Sequence, residues 1–271
     1  MEQFPQPIDF ASQLERLRDE HGATLPHGER YLYTINGGTP FKDRADKERI
    51  ETAYFTGTLN NQRRYQPTVY SLFEGGKVPT DSMKEWDVNK QSNIDLATKI
   101  KQKALDMGTD IVTTLANGEE VSGSYVFYGD YGTGKSKLAK ALYNDIQRSN
   151  NAAVSAIFIS AIALFDLYQQ TYTDETAKRR WDYVFKAIDE ADVFILDDAG
   201  TELADAKTNA AIQQYMRRIA GMREGKLVLI TTNDTPEVLV KKYGGATVSR
   251  MYTKNPDKMI SFVGLDDVRN R

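Results

Sequence analysis

From about residue 82 the chain settles into a regular rhythm of short apolar runs and longer amphipathic stretches. The runs cover residues 125–128, 154–159, 193–196, 227–231 and 259–263. Each has strand length, and most are too apolar to leave one face in water, the mark of strands buried on both sides. Between them lie helical patterns, as in KLAKALYNDI after the first run. Strands alternating with helices predict a parallel five-stranded sheet covered on both faces, a three-layer α/β core over residues 82–271. Ahead of the first run, Ile94, Ala97, Ile100, Ala104 and Leu105 share a stripe that predicts a helix over residues 92–107. Asn117-Gly118 is a two-residue turn signal and predicts a short hairpin there.

The first 81 residues read differently. Asp9 is placed to cap a short helix carrying Phe10, Leu14 and Leu17, with Gly22 as its stop. Residues 31–78 are then broken by Gly37-Gly38, Pro40, Pro67 and Gly75-Gly76, around a charged segment at 41–55 that has the makings of a helix exposing one face. The expected organisation is a small N-terminal domain over residues 1–81 followed by the α/β core. Only eight residues follow Val263, too few for a packed helical bundle, so the core is expected to lack a C-terminal helical lid.

The chemistry sits at the ends of the predicted strands. After the first stands Gly129-Asp130-Tyr131-Gly132-Thr133-Gly134-Lys135-Ser136, which fits the phosphate-binding pattern G-x-x-x-x-G-K-[ST] without mismatch. At average composition such a match arises by chance in about one chain in a hundred of this length. Each residue type has a reason. Glycines let backbone N–H groups curl around phosphates, the following helix N-terminus adds positive charge, Lys135 neutralises phosphate, and Ser136 offers a hydroxyl to Mg²⁺. The third run ends in Asp197-Asp198. Behind a phosphate-binding loop these carboxylates suit a Mg²⁺ shell (Asp197) and the orientation or deprotonation of an attacking water (Asp198); a helix cap after a strand is the competing reading. The fourth run ends in Thr231-Thr232-Asn233-Asp234, where Asn233 suits the γ-phosphate or the water, or simply a turn before Asp-Thr-Pro.

Composition narrows the rest. With 35 Lys+Arg against 38 Asp+Glu the net charge is −3, so contacts to nucleic acid need a local patch rather than a global field. There is no cysteine, which excludes disulfides, thiolate catalysis and Cys-based metal sites. The two histidines, His21 and His27, lie in a Gly- and Pro-containing stretch and imply no metal site. No apolar run approaches the ~18 residues needed to span a bilayer, and the start MEQFPQPIDF lacks a basic n-region, so a cytoplasmic protein without membrane partners is expected.

Over residues 84–271 the chain resembles the AAA+ ATPases, and within them the DnaC/DnaI-type replicative helicase loaders together with the IstB-like ATP-binding proteins. The resemblance rests on the GDYGTGKS loop, FILDDAG, TTND, the Ser249-Arg250-Met251 segment and the closing ISFVGLDDVRNR. It implies ATP with Mg²⁺ as cofactors, held by residues 129–136 with Lys137, and hydrolysis run by Asp198 and Asn233. Arg250 occupies the place of an arginine that reaches a neighbouring subunit's γ-phosphate, and Arg269 that of one that senses nucleotide within the same subunit. The implied partners are a replicative hexameric helicase, gripped by the N-terminal domain, single-stranded DNA, and further copies of the chain in an ATP-bound spiral.

Most AAA+ proteins place Glu after the strand-end Asp. Asp198 is one methylene shorter and must sit closer or act through water, so hydrolysis is expected to be slow and switch-like. For DNA, Tyr168 and Tyr172 lie four residues apart, ahead of Lys178-Arg179-Arg180. Aromatic rings stack on bases and cations track phosphates, although core packing, above all for Tyr168, and a solvated basic triplet explain the same pattern. Arg217 and Arg218 fit a subunit interface or a phosphate contact equally. The rival functions are an IstB-type transposition helper, a small-molecule P-loop kinase, and an adaptor that uses ATP only structurally.

Overall fold

A computed structural model describes residues 44–49, 52, 67–117, 119–148, 154–202, 206–253 and 255–269. The chain divides into two compact units, Met1–Asn61 and Gln62–Arg271. In the first, residues 44–49 are helical within the charged segment, with ion pairs Arg44–Glu48 at 2.9 Å and Arg49–Asp46 at 2.6 Å. The helix expected after Asp9 lies outside the described residues.

The second unit is a three-layer α/β domain. In chain order its main elements are α1 (Ile94–Ala116), β1 (Gly123–Tyr128), α2 (Lys135–Arg148), β2 (Ala156–Ser160), α3 (Ala161–Gln170) and α4 (Glu175–Glu190). There follow β3 (Val193–Ala199), α5 (Ala206–Met222), β4 (Leu227–Thr232), α6 (Pro236–Tyr243), α7 (Gly245–Met251) and β5 (Met259–Ser261). All five expected strands form, and they pair in parallel in the order β2-β3-β4-β1-β5. Alternation along each strand decides which layer it serves. In β3, Phe194 and Leu196 join the core under α3 to α7, while Val193 and Ile195 join the core under α1 and α2. No helix follows β5 among the described residues.

The chain crosses from β1 to β2 over one face and then returns through β3 and β4 over the other. Direction therefore reverses between β1 and β4, which opens a crevice at the carboxyl ends of those strands.

Two expectations are corrected. The hairpin expected around Asn117 does not form among the described residues. The helix runs on to Ala116, and the Asn117 N–H donates to Thr113 O at 3.1 Å, because asparagine serves a helix end as readily as a tight turn. The compact unit also begins at Gln62, ahead of the expected boundary at 81–82. The Leu72 N–H donates to Phe158 O at 2.8 Å, and the Ser160 N–H donates to Leu72 O at 2.8 Å, so Leu72 prolongs the sheet beside β2. Phe73 stacks on Phe158 with ring centroids 5.1 Å apart. Glycines and prolines around residues 67–79 hid these contacts from any periodicity.

Candidate nucleotide site

A cavity of about 740 Å³ opens at the carboxyl ends of β1, β3 and β4, at the reversal point. The loop after β1 forms its floor. Gly129 has φ 137°, and a Cβ there would meet the backbone of Phe262 and Val263 at 2.9 Å, which seats the loop against the end of β5. Gly132, at φ 74°, has the Asp267 carboxylate against its Cα, where a Cβ would overlap it at 1.9 Å. Neither position admits a side chain. The helix α2 begins at Lys135, so the amides of its first turn face the cavity without intrahelical partners, the arrangement that binds anions.

Lys135 is 4% exposed, and its Nζ donates to Gly129 O at 3.0 Å and Asp130 O at 2.6 Å. Thr133 Oγ1 also donates to Asp130 O, at 2.9 Å. Burial pulls the Lys135 ammonium below its usual range, against the opposing pull of Asp198 and Asp130. Ser136 lines the cavity, and so do Tyr131 and Lys137, the latter 3.5 Å from Asp81. Glycine cradle, buried ammonium, free amides and hydroxyl together fit a nucleotide phosphate chain.

The acidic strand end divides in two. Asp197, 3% exposed, is not in the cavity wall; its Oδ1 accepts from Thr231 Oγ1 at 2.6 Å. Burial, followed by repulsion from Asp198, pushes its carboxyl up to about 6, while hydrogen bonds from Thr231 and Ser136 pull it back. A divalent cation beside Ser136 would hold this group ionised, so the pair fits Mg²⁺. Asp198 does line the cavity. Neighbouring residues of a regular strand point to opposite faces, but Asp198 leaves the strand conformation at φ 54°, where the β3–β4 register shifts between Leu196 and Ala199. A non-glycine residue held there costs about 1–3 kcal/mol, and such strain concentrates at functional sites.

Asn233 and Arg269 complete the expected set in the same cavity. Arg269 pairs with Asp267 at 3.3 Å, and the Val268 N–H donates to Gly132 O at 3.1 Å, so residues 265–269 cross the phosphate loop as a strap. Gln91 and Asp266 hold that strap: the Asp266 N–H donates to Gln91 Oε1 at 2.6 Å. Sequence reasoning assigned no role to Gln91 or to Trp86, which is 4% exposed and donates from Nε1 to Gly134 O at 3.3 Å. Nothing in their local pattern marks them. Thr231 does carry a local signal, a polar residue closing an apolar strand.

The remaining expected residues lie elsewhere. Arg250 is on α7, pairing with Glu224 at 3.1 Å, and is not in the cavity wall. Tyr168 packs against Trp181 and Tyr215 at 5.5 and 5.8 Å and shares a hydroxyl contact with Tyr172, which is 68% exposed. That shared hydroxyl pushes the Tyr168 phenol up to about 12. Lys178 pairs with Glu175, and Arg179 reaches Thr176 Oγ1 at 3.4 Å. Arg218 stacks over Phe185 at 4.4 Å.

Residues 125–252 match the AAA family, the ATPase family associated with various cellular activities. Over these 128 of the 271 residues the core has the P-loop AAA fold. Among solved structures it is similar to DnaI, with 18% identity, a TM-score of 0.51, and coverage of 72% of this chain and 96% of that one. A DnaC helicase loader gives 19% identity and a TM-score of 0.40 over 56% of this chain and 86% of that one. No curated protein shows a significant match to the chain. The AAA match covers both strands whose ends carry Asp198 and Asn233, and it includes Arg250. Residues 85–91 and 265–269, which close the cavity, lie outside it. Among the described residues no helix is long and apolar enough to cross a membrane.

Proposed function

We propose that this protein binds and hydrolyses ATP with Mg²⁺ and uses the cycle to load a replicative ring helicase onto single-stranded DNA. The observation that carries the ATPase reading is the convergence of Lys135, Asp198, Asn233 and Arg269 on one cavity at the reversal point of the sheet. Lys135 and the free amides of α2 would hold the phosphates, and Mg²⁺, beside Ser136 and Asp197, would neutralise their charge. Asp198 would take the proton of the attacking water, giving ADP and phosphate. Asn233 would orient that water, and Arg269 would contact the nucleotide from the strap.

The loading step rests on the sequence resemblance and on a fold like that of DnaI. In this reading Arg250, outside the cavity, reaches the nucleotide of a neighbouring copy. Tyr168, Tyr172, Lys178 and Arg179 face DNA within the assembled spiral, and the N-terminal unit, Met1–Asn61, grips the helicase. Native mass spectrometry of the full chain mixed with a replicative helicase, with and without ATP, tests it. A complex that forms under at least one nucleotide condition is expected, and none under any condition overturns the loader reading. Binding measurements with single- and double-stranded oligonucleotides separate the alternatives. Preference for duplex would favour a transposition helper, and phosphate transfer to a nucleoside or metabolite would establish a kinase.

A further inference from the structure

We infer that Thr231 is a positioning residue for hydrolysis: its single hydroxyl ties the buried carboxylate of Asp197 to the backbone of Asp198 and so sets both acids at once. The inference rests on the ATPase reading of the same cavity and extends it to a residue on the neighbouring strand.

Thr231 is fully buried in β4. Its Oγ1 donates to Asp197 Oδ1 at 2.6 Å and accepts from the Asp198 N–H at 2.8 Å. A hydroxyl has one proton to give and lone pairs to receive, and here both capacities are in use. The accepted bond answers a specific problem. Where β3 shifts register against β4, the Asp198 N–H loses its ladder partner, and a buried donor must find another. Thr231 supplies it from the side chain. Thr201 Oγ1 donates to Asp198 O, and Thr232 Oγ1 donates to Ala199 O at 2.8 Å, so three threonines replace the ladder through the turn. Only Thr231 touches both acids. The donated bond occupies one oxygen of Asp197 and fixes the rotation of that carboxyl. The accepted bond holds Asp198 in the left-handed conformation that brings it to the cavity wall.

Valine has nearly the shape of threonine and no hydroxyl. Thr231→Val should therefore keep the packing of β4, release the Asp198 turn and free the Asp197 carboxyl. Outer-shell partners of metal-binding carboxylates are typically worth about 10–100-fold in activity or metal affinity, so kcat is expected to fall by about that factor and the Mg²⁺ concentration for half-maximal turnover to rise. Binding of a fluorescent ATP analogue without Mg²⁺ is expected to stay within about twofold of wild type, because the phosphate loop is untouched. Thr231→Ser keeps the hydroxyl and is expected to restore most of the turnover.

A merely structural role would not produce this split between catalysis and binding with rescue by serine. Turnover of Thr231→Val within about twofold of wild type, or loss of analogue binding in parallel with turnover, overturns the inference. Should the valine protein not fold, Thr231→Ser decides alone, since loss of turnover in a folded serine variant overturns the inference. A wild-type chain that binds the analogue but never hydrolyses ATP would instead remove the ATPase reading, and this inference with it.

Discussion

The cavity at the strand ends and the rim formed by α3 and α4 both bring candidate binding groups together, but they are built in opposite ways. In and beside the cavity, the groups next to the phosphate loop are held by the fold. Lys135 is locked to two backbone carbonyls, Asp197 to Thr231, and the Asp198 turn to Thr231 and Thr201. On the rim the cations are held only by neighbours on their own helix, Lys178 by Glu175 and Arg179 by Thr176, while Tyr172 stands in solvent. Exposed ion pairs of that kind are worth about 0–1 kcal/mol, so a phosphate can displace them at little cost. The contrast teaches that the groups around the phosphate loop are preorganised by long-range contacts, whereas those of the rim are held only locally and can rearrange at little cost.

Four substitutions test that contrast. The largest effect is expected from Asp198→Asn, which keeps the shape of the turn and removes the proton acceptor. Turnover should fall by about 10²–10⁴-fold with ATP still bound. Steady-state kinetics alongside calorimetry reads this, and unchanged turnover would move the base elsewhere. Next is Lys135→Ala, which deletes the buried ammonium and its hydrogen bonds to Gly129 O and Asp130 O. ATP affinity should drop about 100-fold, the scale of two charge-assisted hydrogen bonds. Titration calorimetry showing native affinity would break the cavity half of the comparison.

The rim should respond more weakly. Tyr172→Ala is expected to weaken single-stranded DNA binding of the ATP-bound assembly by about 1–3 kcal/mol, with no change in turnover in the absence of DNA. Fluorescence anisotropy with an oligonucleotide measures it, and equal loss of DNA-free turnover would mean that Tyr172 supports the fold instead. The smallest effect belongs to Lys178→Ala, which should lower DNA affinity by less than about tenfold and flatten its salt dependence by roughly one counterion. A salt slope identical to wild type would assign Lys178 to its pair with Glu175 alone.

Parts of this molecule were legible without coordinates because their signals are local. The five strands show as apolar runs, and the phosphate loop shows as a fixed spacing of residues whose backbone needs are independent of context. Asp197, Asp198 and Asn233 were legible because carboxyl ends of parallel strands gather by topology. Where the reading failed, two physical demands shared one signal. Asn117 serves a helix end as well as a turn, and 23 residues of packed helix decided between them. Residues 67–79 carry the glycines and prolines of a linker, yet Leu72 and Phe73 lie in the core.

The sequence by itself determined the order of elements, the loop that would hold phosphate and the acids that would accompany it, because each depends on residues adjacent in the chain. Only the tertiary structure decided that Asp197 would be buried while Asp198 reached the cavity, since that depends on a register shift between β3 and β4. It alone brought Trp86 and Gln91 to the phosphate loop and its strap. It also buried Arg223, whose guanidinium donates to backbone carbonyls of Ile188, Ala191, Asp192 and Leu227 at 2.6–3.2 Å. Apart from the one to Leu227, these contacts join residues far apart in the chain, and their partners are main-chain atoms, which every residue type supplies alike. A side-chain pattern cannot announce them.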